Sequence, residues 1–337
     1  MSAIRKPGKI NENTTLIDIG MHGIYGVTAV YLVRGARTCL IDGGTRAEAG
    51  RLLKALRELG ALPPDLIIAT HSHWDHTQGI PALRQQAANQ GKTIQVLASG
   101  EAIPLLADAS SHVVQDDVFG QAPYLSIEDV TPVETGDAID LGGLTLRVVP
   151  VPGHCRGHIA ILDEKNRNLF VGDAIGVKLG DSLFLPPFMP PFWDPDAFQS
   201  SVSRLRQTSY DTLSLAHFGC IGGTEARSIL DETVDNCNTW WQWFERHADR
   251  LDDTDYLLRS MREEINPGLP PINPVSPGMR VMLRLLTAVG TVTGKKTAML
   301  DKLALGDAVK WLAAGYKVYK AAQGDLSAAG AARRRVI

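Results

Sequence analysis

The most constraining feature of this chain is a polar segment, His71-Ser-His73-Trp-Asp75-His76, which directly follows the short apolar run LIIAT at 66–70. Four of its six side chains can bind a metal ion, and three of the nine histidines of the chain lie here. Because residues two apart in an extended chain face the same way, we expect His71 and His73 to reach one ion. A turn into the next helix would bring Asp75 and His76 toward a second ion. Neutral imidazole is the commonest metal ligand, so the segment predicts a metal centre.

Length and charge narrow the function classes. A chain of 337 residues predicts about two domains, or one large domain with an appendage. Its net charge of -3 argues against a dedicated nucleic-acid binder, which normally carries a basic excess. The four cysteines are widely spaced without a C-x-x-C pair, which favours a reducing, cytoplasmic setting. We find no secretory h-region and no stretch of about 20 mostly apolar residues, so we expect no contact with a membrane.

The first two-thirds of the chain alternates short β-rich runs with glycine turns and a few helical patterns. Thr45 and Glu48 form a capping-box pattern, and the apolar spacing after them predicts a helix at 46–59. Further runs predict strands, the last of them at 213–219. Strands that alternate with a few helices predict a layered α/β or α+β fold.

The last third of the chain has a helical sequence pattern, unlike the β-rich runs before it. We interpret residues 1–228 as the catalytic domain and residues 229–337 as an α-helical C-terminal extension. Within that extension, helical patterns near 279–292 and 301–322 follow a proline-rich break. We expect the extension to roof a substrate pocket, to form a homodimer contact, or both.

Three further motifs follow the histidine segment in order. They are Pro152-Gly153-His154 with Arg156-Gly157-His158, Phe170-Val171-Gly172-Asp173, and Ala216-His217-Phe218-Gly219. Together with the H-x-H-x-D-H segment they resemble the motifs of the metallo-β-lactamase fold superfamily, over roughly residues 15–225. The resemblance implies an α+β fold, a four-layer αβ/βα sandwich. Four motifs in the correct order are specific for fold and metal but only weakly specific for substrate, because this fold hosts many chemistries.

The resemblance also implies a set of metal ligands. A first ion would be bound by three histidines, His71, His73 and His154. A second ion would be bound by Asp75, His76 and His217. Asp173 would bridge the two ions, and His158 would orient a neighbouring group rather than bind metal.

The function that the resemblance implies is hydrolysis by a dinuclear metal centre. A metal-bridging hydroxide, held in line by Asp75 as the catalytic residue, would cleave an ester, thioester or lactone bond in a small, partly apolar substrate. Glyoxalase II-like and lactonase-like enzymes are the two candidate branches that the resemblance implies. Zinc is the default for both ions, while iron and manganese suit the same ligands. Two alternatives stay open: a mononuclear iron enzyme similar to persulfide dioxygenases, and a metal-holding binding or signalling protein with vestigial hydrolysis.

A proline-rich segment at Asp181–Phe198 lies between two of the expected ligands. Because prolines stiffen a loop, its apolar side chains are candidate walls for a substrate pocket. The candidate substrate contacts are Phe184, Phe188, Phe192 and Trp193, together with His22 and Tyr25 from the loop between the first two strands. Packing of the segment against the C-terminal helices, and an ordinary turn at His22 and Tyr25, are the structural alternatives.

Overall fold

The structure, a computed structural model, describes residue 4 and residues 6–21, 25–112, 123–179, 183–267 and 296–324. In the last of these ranges the side chains are described from 308 to 323. The predicted helix at 279–292 lies outside the described residues, as does the candidate substrate contact His22.

A seven-stranded sheet forms one half of the sandwich. Its strands, in spatial order, are β1 (Gly8–Lys9), β2 (Thr14–Asp18), β3 (Ala29–Arg34), β4 (Thr38–Ile41), β5 (Leu66–Ile68), β6 (Gln95–Ser99) and β7 (Val130–Val133). The pairs from β1 to β4 are antiparallel and the pairs from β4 to β7 are parallel. Parallel neighbours need crossover connections, and helices supply them here. The crossover helices are α1 (Ala49–Glu58), α2 (Trp74–Thr77), α3 (Ile80–Ala88) and α4 (Ile103–Ala107), the last followed by a 3₁₀ turn at Ala109–His112.

A six-stranded sheet forms the other half. The first strands along the chain are β8 (Ala138–Asp140), β9 (Thr145–Pro150), β10 (Ile159–Asp163) and β11 (Asn168–Phe170). A separate hairpin of β12 (Val177–Leu179) and β13 (Leu183–Leu185) follows, and α5 (Pro195–Gln207) leads to β14 (Thr212–Leu215) and β15 (Gly219–Gly222). The spatial order is β15-β14-β11-β10-β9-β8, and only β11 and β14 are parallel. The strand predicted at 213–219 is therefore wrong in extent, because the chain turns after Leu215 and returns as β15.

The C-terminal part of the described chain is helical. It contains α6 (Glu225–Arg246), a 3₁₀ turn at Ala248–Arg250, α7 (Thr254–Glu264) and α8 (Lys296–Gly324). The domain boundary predicted after residue 228 falls inside α6, whose buried side chains share one cluster with the six-stranded sheet. The division of the chain into two domains stays a prediction.

Side chains that alternate between the two faces of each sheet build the four layers. In β3, Tyr31 and Val33 join the cluster between the two sheets, whereas Val30 and Leu32 face the cluster that contains α1 and α3. Since successive side chains of a strand point to opposite faces, one strand serves two cores. The outer face of the six-stranded sheet packs against α5, α6, α7 and α8. The resulting order of helices, sheet, sheet and helices confirms the α+β sandwich.

The first crossover helix shows how local sequence fixes an element. The Thr45 hydroxyl accepts a hydrogen bond from the Glu48 backbone N–H at 3.2 Å and donates one to the Glu48 carboxylate. These bonds satisfy groups that the start of a helix leaves without partners. The helix then begins at Ala49, three residues later than the predicted 46, and buries Leu52 and Leu56.

Candidate metal centre

Strand ends from both sheets converge on one edge of the sandwich. The segment from His71 to His76 follows β5 of the seven-stranded sheet. His154, Asp173 and His217 follow β9, β11 and β14 of the six-stranded sheet. The strands end in polar residues here because each apolar run stops at the edge of the buried core. The two sheets thus bring distant parts of the chain to a single site.

The first group contains three histidines. His71 Nε2 lies 3.0 Å from His73 Nδ1, and His154 Nε2 lies 2.9 Å from the same His73 nitrogen. The three ligand atoms, together with that of Cys155, lie within 4.8 Å of one another. Three imidazole nitrogens that face one another at this spacing are able to share one metal ion.

The second group lies beside the first and is joined to it by Asp173. His217 Nε2 is 3.3 Å from Asp75 Oδ2, and His76 Nε2 is 3.7 Å from the same oxygen. Asp173 Oδ2 is 3.4 Å from His76 Nε2 and 3.6 Å from His154 Nε2. One carboxylate therefore faces a histidine of each group, which is the position that a bridging ligand needs.

Hydrogen bonds to backbone carbonyls fix the orientation of two of the histidine rings. His154 Nδ1 donates to Pro187 O at 3.0 Å, and His217 Nδ1 donates to Val27 O at 2.7 Å. A carbonyl can only accept, so Nδ1 of each ring carries a proton, and Nε2 is the nitrogen that is left to face the centre. Such outer partners set the tautomer of a metal-binding histidine.

Asp42, which is not among the candidate site residues named from the sequence, provides the corresponding partner for His76. Its Oδ2 lies 2.9 Å from His76 Nδ1, and its two oxygens also accept hydrogen bonds from the backbone N–H and the hydroxyl of Thr70. Asp42 is buried and has a φ of 63°. A signal was present, because Asp42 ends the apolar run TCLID just as Asp173 ends LFVGD.

Burial and neighbouring charges shift the pKa values of histidines in the two groups in opposite directions. Burial and the neighbouring His154 lower the pKa of His73 to about 3. Burial also opposes the charged form of His76, but the carboxylates of Asp173, Asp75 and Asp42 outweigh it and hold that pKa well above its usual value. The first group is therefore neutral, whereas the carboxylates of the second group stabilise the charged form of His76, so the centre offers both imidazole and carboxylate donors.

Two atoms test whether the centre fits a metal ion. His76 Nε2 and Asp173 Oδ1 are buried and have no hydrogen-bond partner among the described residues. Buried polar atoms without a partner cost free energy, and native structures satisfy nearly all of them. Both atoms lie among the ligand atoms of the second group, with Asp173 Oδ1 3.6 Å from His217 Nε2 and His76 Nε2 3.7 Å from Asp75 Oδ2, and a divalent ion there would satisfy them. The residues present therefore fit a divalent ion, and their N/O donor set does not by itself select which one.

Two more buried side chains, His158 and Cys155, lie next to the metal centre but do not connect the two ligand groups. His158 Nε2 accepts a hydrogen bond from the Asp173 backbone N–H at 3.1 Å, and its ring stacks on His71 at 4.6 Å. This contact suits the orienting role expected for His158. Cys155 is buried beside the first group, where burial and the Asp173 charge raise the pKa of its thiol well above the usual value.

The candidate substrate contacts fall into two sets. Tyr25 is 60% exposed, and Phe184 and Phe192 are half-buried. Phe188 and Trp193 are 1% and 8% exposed and pack in the core with the C-terminal helices. The described part of the proline-rich segment thus turns Phe188 and Trp193 into the core, where α6 and α8 pack against Phe188, and leaves other side chains partly exposed.

Comparisons with known proteins agree with this geometry. The family model of the metallo-beta-lactamase superfamily matches residues 14–217. Acyl-coenzyme A thioesterase MBLAC2 of Gallus gallus is 33% identical over 161 residues, which cover 43% of this chain and 57% of the relative. Hydroxyacylglutathione hydrolase of Methylobacterium nodulans is 32% identical over 129 residues, which cover 38% of this chain and 40% of the relative. The chain thus spans about half the length of these relatives.

A solved structure supports the fold. The archaeal superfamily protein ST1585 from Sulfolobus tokodaii superposes with a TM-score of 0.51 at 23% identity, over 69% of this chain and 84% of that protein. Four motifs in order, a four-layer sandwich and a matching family model lead to one conclusion. This chain belongs to the metallo-beta-lactamase superfamily.

Proposed function

We propose that this chain is a dinuclear metal-dependent hydrolase that cleaves an ester-type bond, with a thioester as the first candidate. The observation that carries the proposal is the pair of ligand groups joined by Asp173, whose carboxylate lies 3.4 Å from His76 and 3.6 Å from His154. An intact second group of Asp75, His76 and His217 favours two ions over the single iron of a persulfide dioxygenase-like enzyme.

Each residue of the centre has a distinct task in the proposed reaction. His71, His73 and His154 would hold one ion, and Asp75, His76 and His217 would hold the other, with zinc as the default for both. When bound, two divalent ions supply a hydroxide nucleophile at neutral pH and polarise a substrate carbonyl. Asp75, as the catalytic residue, would keep the nucleophile in line with that carbonyl.

The leaving group favours a thioester over an alkyl ester. A thiol has a pKa of about 8.5, so it departs as a thiolate without a proton donor. No general acid is therefore required beyond the groups described. The names of two relatives, an acyl-coenzyme A thioesterase and a hydroxyacylglutathione hydrolase, also support a thioester substrate.

The surface beside the centre supports a substrate with an apolar part and a negative charge. Arg156 is exposed, two residues after His154, and its guanidinium lies 5.1 Å from the centre of the Phe192 ring. Half-buried Phe184 and exposed Tyr25 are the other candidate contacts. A stacked arginine beside an aromatic surface suits an acyl group carried by an anionic thiol.

A turnover assay with metal analysis tests the proposal. Purified wild-type protein and His73→Ala are loaded with zinc and assayed on an acyl-coenzyme A, an acylglutathione, a homoserine lactone and an aryl ester. We expect two zinc ions per wild-type chain and turnover of a thioester that His73→Ala loses. His247→Ala, which removes a histidine outside the ligand set, is the matched control and should keep its turnover.

The alternatives give different results. Turnover of the lactone alone would make a lactone, and not a thioester, the proposed substrate. Protein purified without added zinc that carries a single iron and consumes oxygen with a persulfide would replace the hydrolase by a dioxygenase-like enzyme. Two bound ions with ligand binding but no turnover would indicate a binding protein. Equal turnover by wild type and His73→Ala would refute the metal mechanism.

The predictions of a homodimer and of a cytoplasmic location stay predictions. Among the described helices, none combines the length and the apolar character that crossing a membrane requires.

A further inference from the structure

The C-terminal helix α8 meets the proline-rich segment backbone to backbone. A Cβ atom built on Gly315 of α8 would lie 2.9 Å from Phe188 O and 3.0 Å from Phe188 C. Real Cβ atoms essentially never come this close to backbone atoms. Gly315 therefore lets α8 approach the segment more closely than any other residue would allow.

Aromatic packing holds the segment against the helices at the same place. Phe188 is buried, and its ring centre lies 4.7 Å from that of Trp193 and 5.7 Å from that of Trp241 on α6. Trp241 in turn lies 4.7 Å from Tyr316, the residue after Gly315. Aromatic pairs at these distances add stabilisation beyond their buried area. Phe188 is thus enclosed by its own segment, α6 and α8.

The residue before Phe188 holds a proposed metal ligand. Pro187 O accepts the hydrogen bond from His154 Nδ1 at 3.0 Å. Further along the segment, the Asp194 backbone N–H donates to Gly153 O at 2.9 Å. The segment therefore contacts both the ring of His154 and the backbone just before it.

We propose that α8 is a positioning element of the metal centre, and that the Gly315 contact with Phe188 sets the place of Pro187 O and through it the ring of His154. This inference rests on the proposed function insofar as His154 is a ligand of the first ion. The helix lies outside residues 14–217, which the family model covers. The contact is thus a property of the C-terminal extension of this chain, not of the segment that defines the family.

The geometry sets the size of the effect. To reach an ordinary contact, a side chain at position 315 would have to move Phe188 by about 0.5 Å, which is the tolerance within which binding groups must be held. Loss of an outer hydrogen-bond partner typically weakens metal binding about 10- to 100-fold. We expect a loss of this size at the first ion only, because the second group has no contact with Pro187 among those described.

The test compares substitutions on one helix in the full-length protein. Gly315→Val and Gly315→Ala place a Cβ against Phe188, whereas Ala322→Val adds bulk at an exposed position of α8. Stepwise zinc affinities are measured by competition with a chelator. The His154 Nδ1–H resonance, identified by its loss in His154→Gln, is followed by NMR in the metal-free and zinc-loaded proteins, and the thermal midpoint is recorded for each variant.

The proposal predicts that Gly315→Val weakens one of the two zinc sites about 10- to 100-fold and shifts or broadens the His154 resonance, while Ala322→Val matches wild type. Gly315→Ala is the variant that tests folding, because alanine stabilises a helix relative to glycine. If Gly315→Ala weakens the first zinc site without lowering the thermal midpoint, the loss of affinity comes from positioning and not from stability.

Unchanged affinity and an unchanged resonance in both Gly315 variants would overturn the proposal, as would an equal loss at both sites that follows the thermal midpoint. Failure of the proposed function looks different. In that case the wild-type protein itself binds no zinc, and the His154 resonance in the metal-free protein still reports whether Gly315 sets the Pro187 contact.

Discussion

Replacement of Asp42 by asparagine tests how an outer carboxylate controls a proposed metal ligand. Asp42 accepts three hydrogen bonds, two from Thr70 and one from His76 Nδ1. Asparagine has nearly the same shape and tolerates the φ of 63° at this position. The substitution therefore alters the hydrogen-bond donors and the charge while it leaves the packing in place.

The amide of asparagine cannot satisfy all three partners. If its oxygen keeps the Thr70 backbone N–H, its NH₂ group faces His76 Nδ1–H, and two donors meet. His76 must then move its proton to Nε2, the atom that faces the metal centre. If the amide flips, the buried Thr70 N–H loses its acceptor, which costs about 1–3 kcal/mol. Either arrangement removes the group that holds Nε2 ready to bind.

We expect Asp42→Asn to weaken the second zinc site about 10- to 100-fold, which corresponds to about 1.4 to 2.8 kcal/mol. The first site, made of His71, His73 and His154, should keep its affinity. The assay is a zinc titration against a chelator of known affinity, with circular dichroism to confirm that the variant is folded.

Asp65→Asn is the matched control. The Asp65 carboxylate accepts hydrogen bonds from the backbone N–H and the hydroxyl of Thr38, much as Asp42 does from Thr70, but it has no histidine partner among the described contacts. We expect wild-type zinc affinity in this control. If folded Asp42→Asn binds both zinc ions as tightly as wild type, the reasoning about the His76 tautomer is refuted.

Three further outcomes follow from the structure. Trp240→Ala should lower the free energy of unfolding by about 3–5 kcal/mol because Trp240 is fully buried, whereas exposed Tyr25→Ala should change it by less than about 0.5 kcal/mol in urea titrations. The hydrogen bond from Ser260 lowers the pKa of Glu264 in the folded protein. The stability difference between wild type and Glu264→Gln should therefore be largest near neutral pH and should vanish as the pH falls through the folded-state pKa. A difference that grows in acid would contradict this. Free zinc at 1,000 times its dissociation constant should stabilise the fold by about 4.1 kcal/mol, which calorimetry with and without a chelator would measure.

The proposed ligands could be named from the sequence because each is local to a strand end, and their role stays a prediction. His71, His73 and His76 are close together in the chain, and a short apolar run before them marks the edge of a sheet. The partners of these ligands were harder to find. Asp42 lies in no recognised motif. Its contact with His76 depends on the pairing of β4 with β5, which the local sequence does not specify.

The same contrast holds for the fold: local sequence predicts some elements, whereas packing between distant residues determines others. The apolar periodicity predicted α1 with an error of three residues at its start, because the capping contacts of Thr45 precede the first helical turn. The strands β1 and β12 were missed since they are two and three residues long and lack an apolar run. The sequence left open whether Phe188 and Trp193 line a pocket or pack against the C-terminal helices, because their burial depends on α8, far along the chain.

The contributions of both sheets to one edge determine when the centre can exist during synthesis. A growing chain contains the histidines that follow β5 early, but it contains His217 only after almost all of the second sheet has been made. Domains fold as units during synthesis, so a metal ion that meets the nascent chain early finds an incomplete ligand set. Full affinity arises only when the two sheets dock, and tight metal binding is therefore a direct report of that docking.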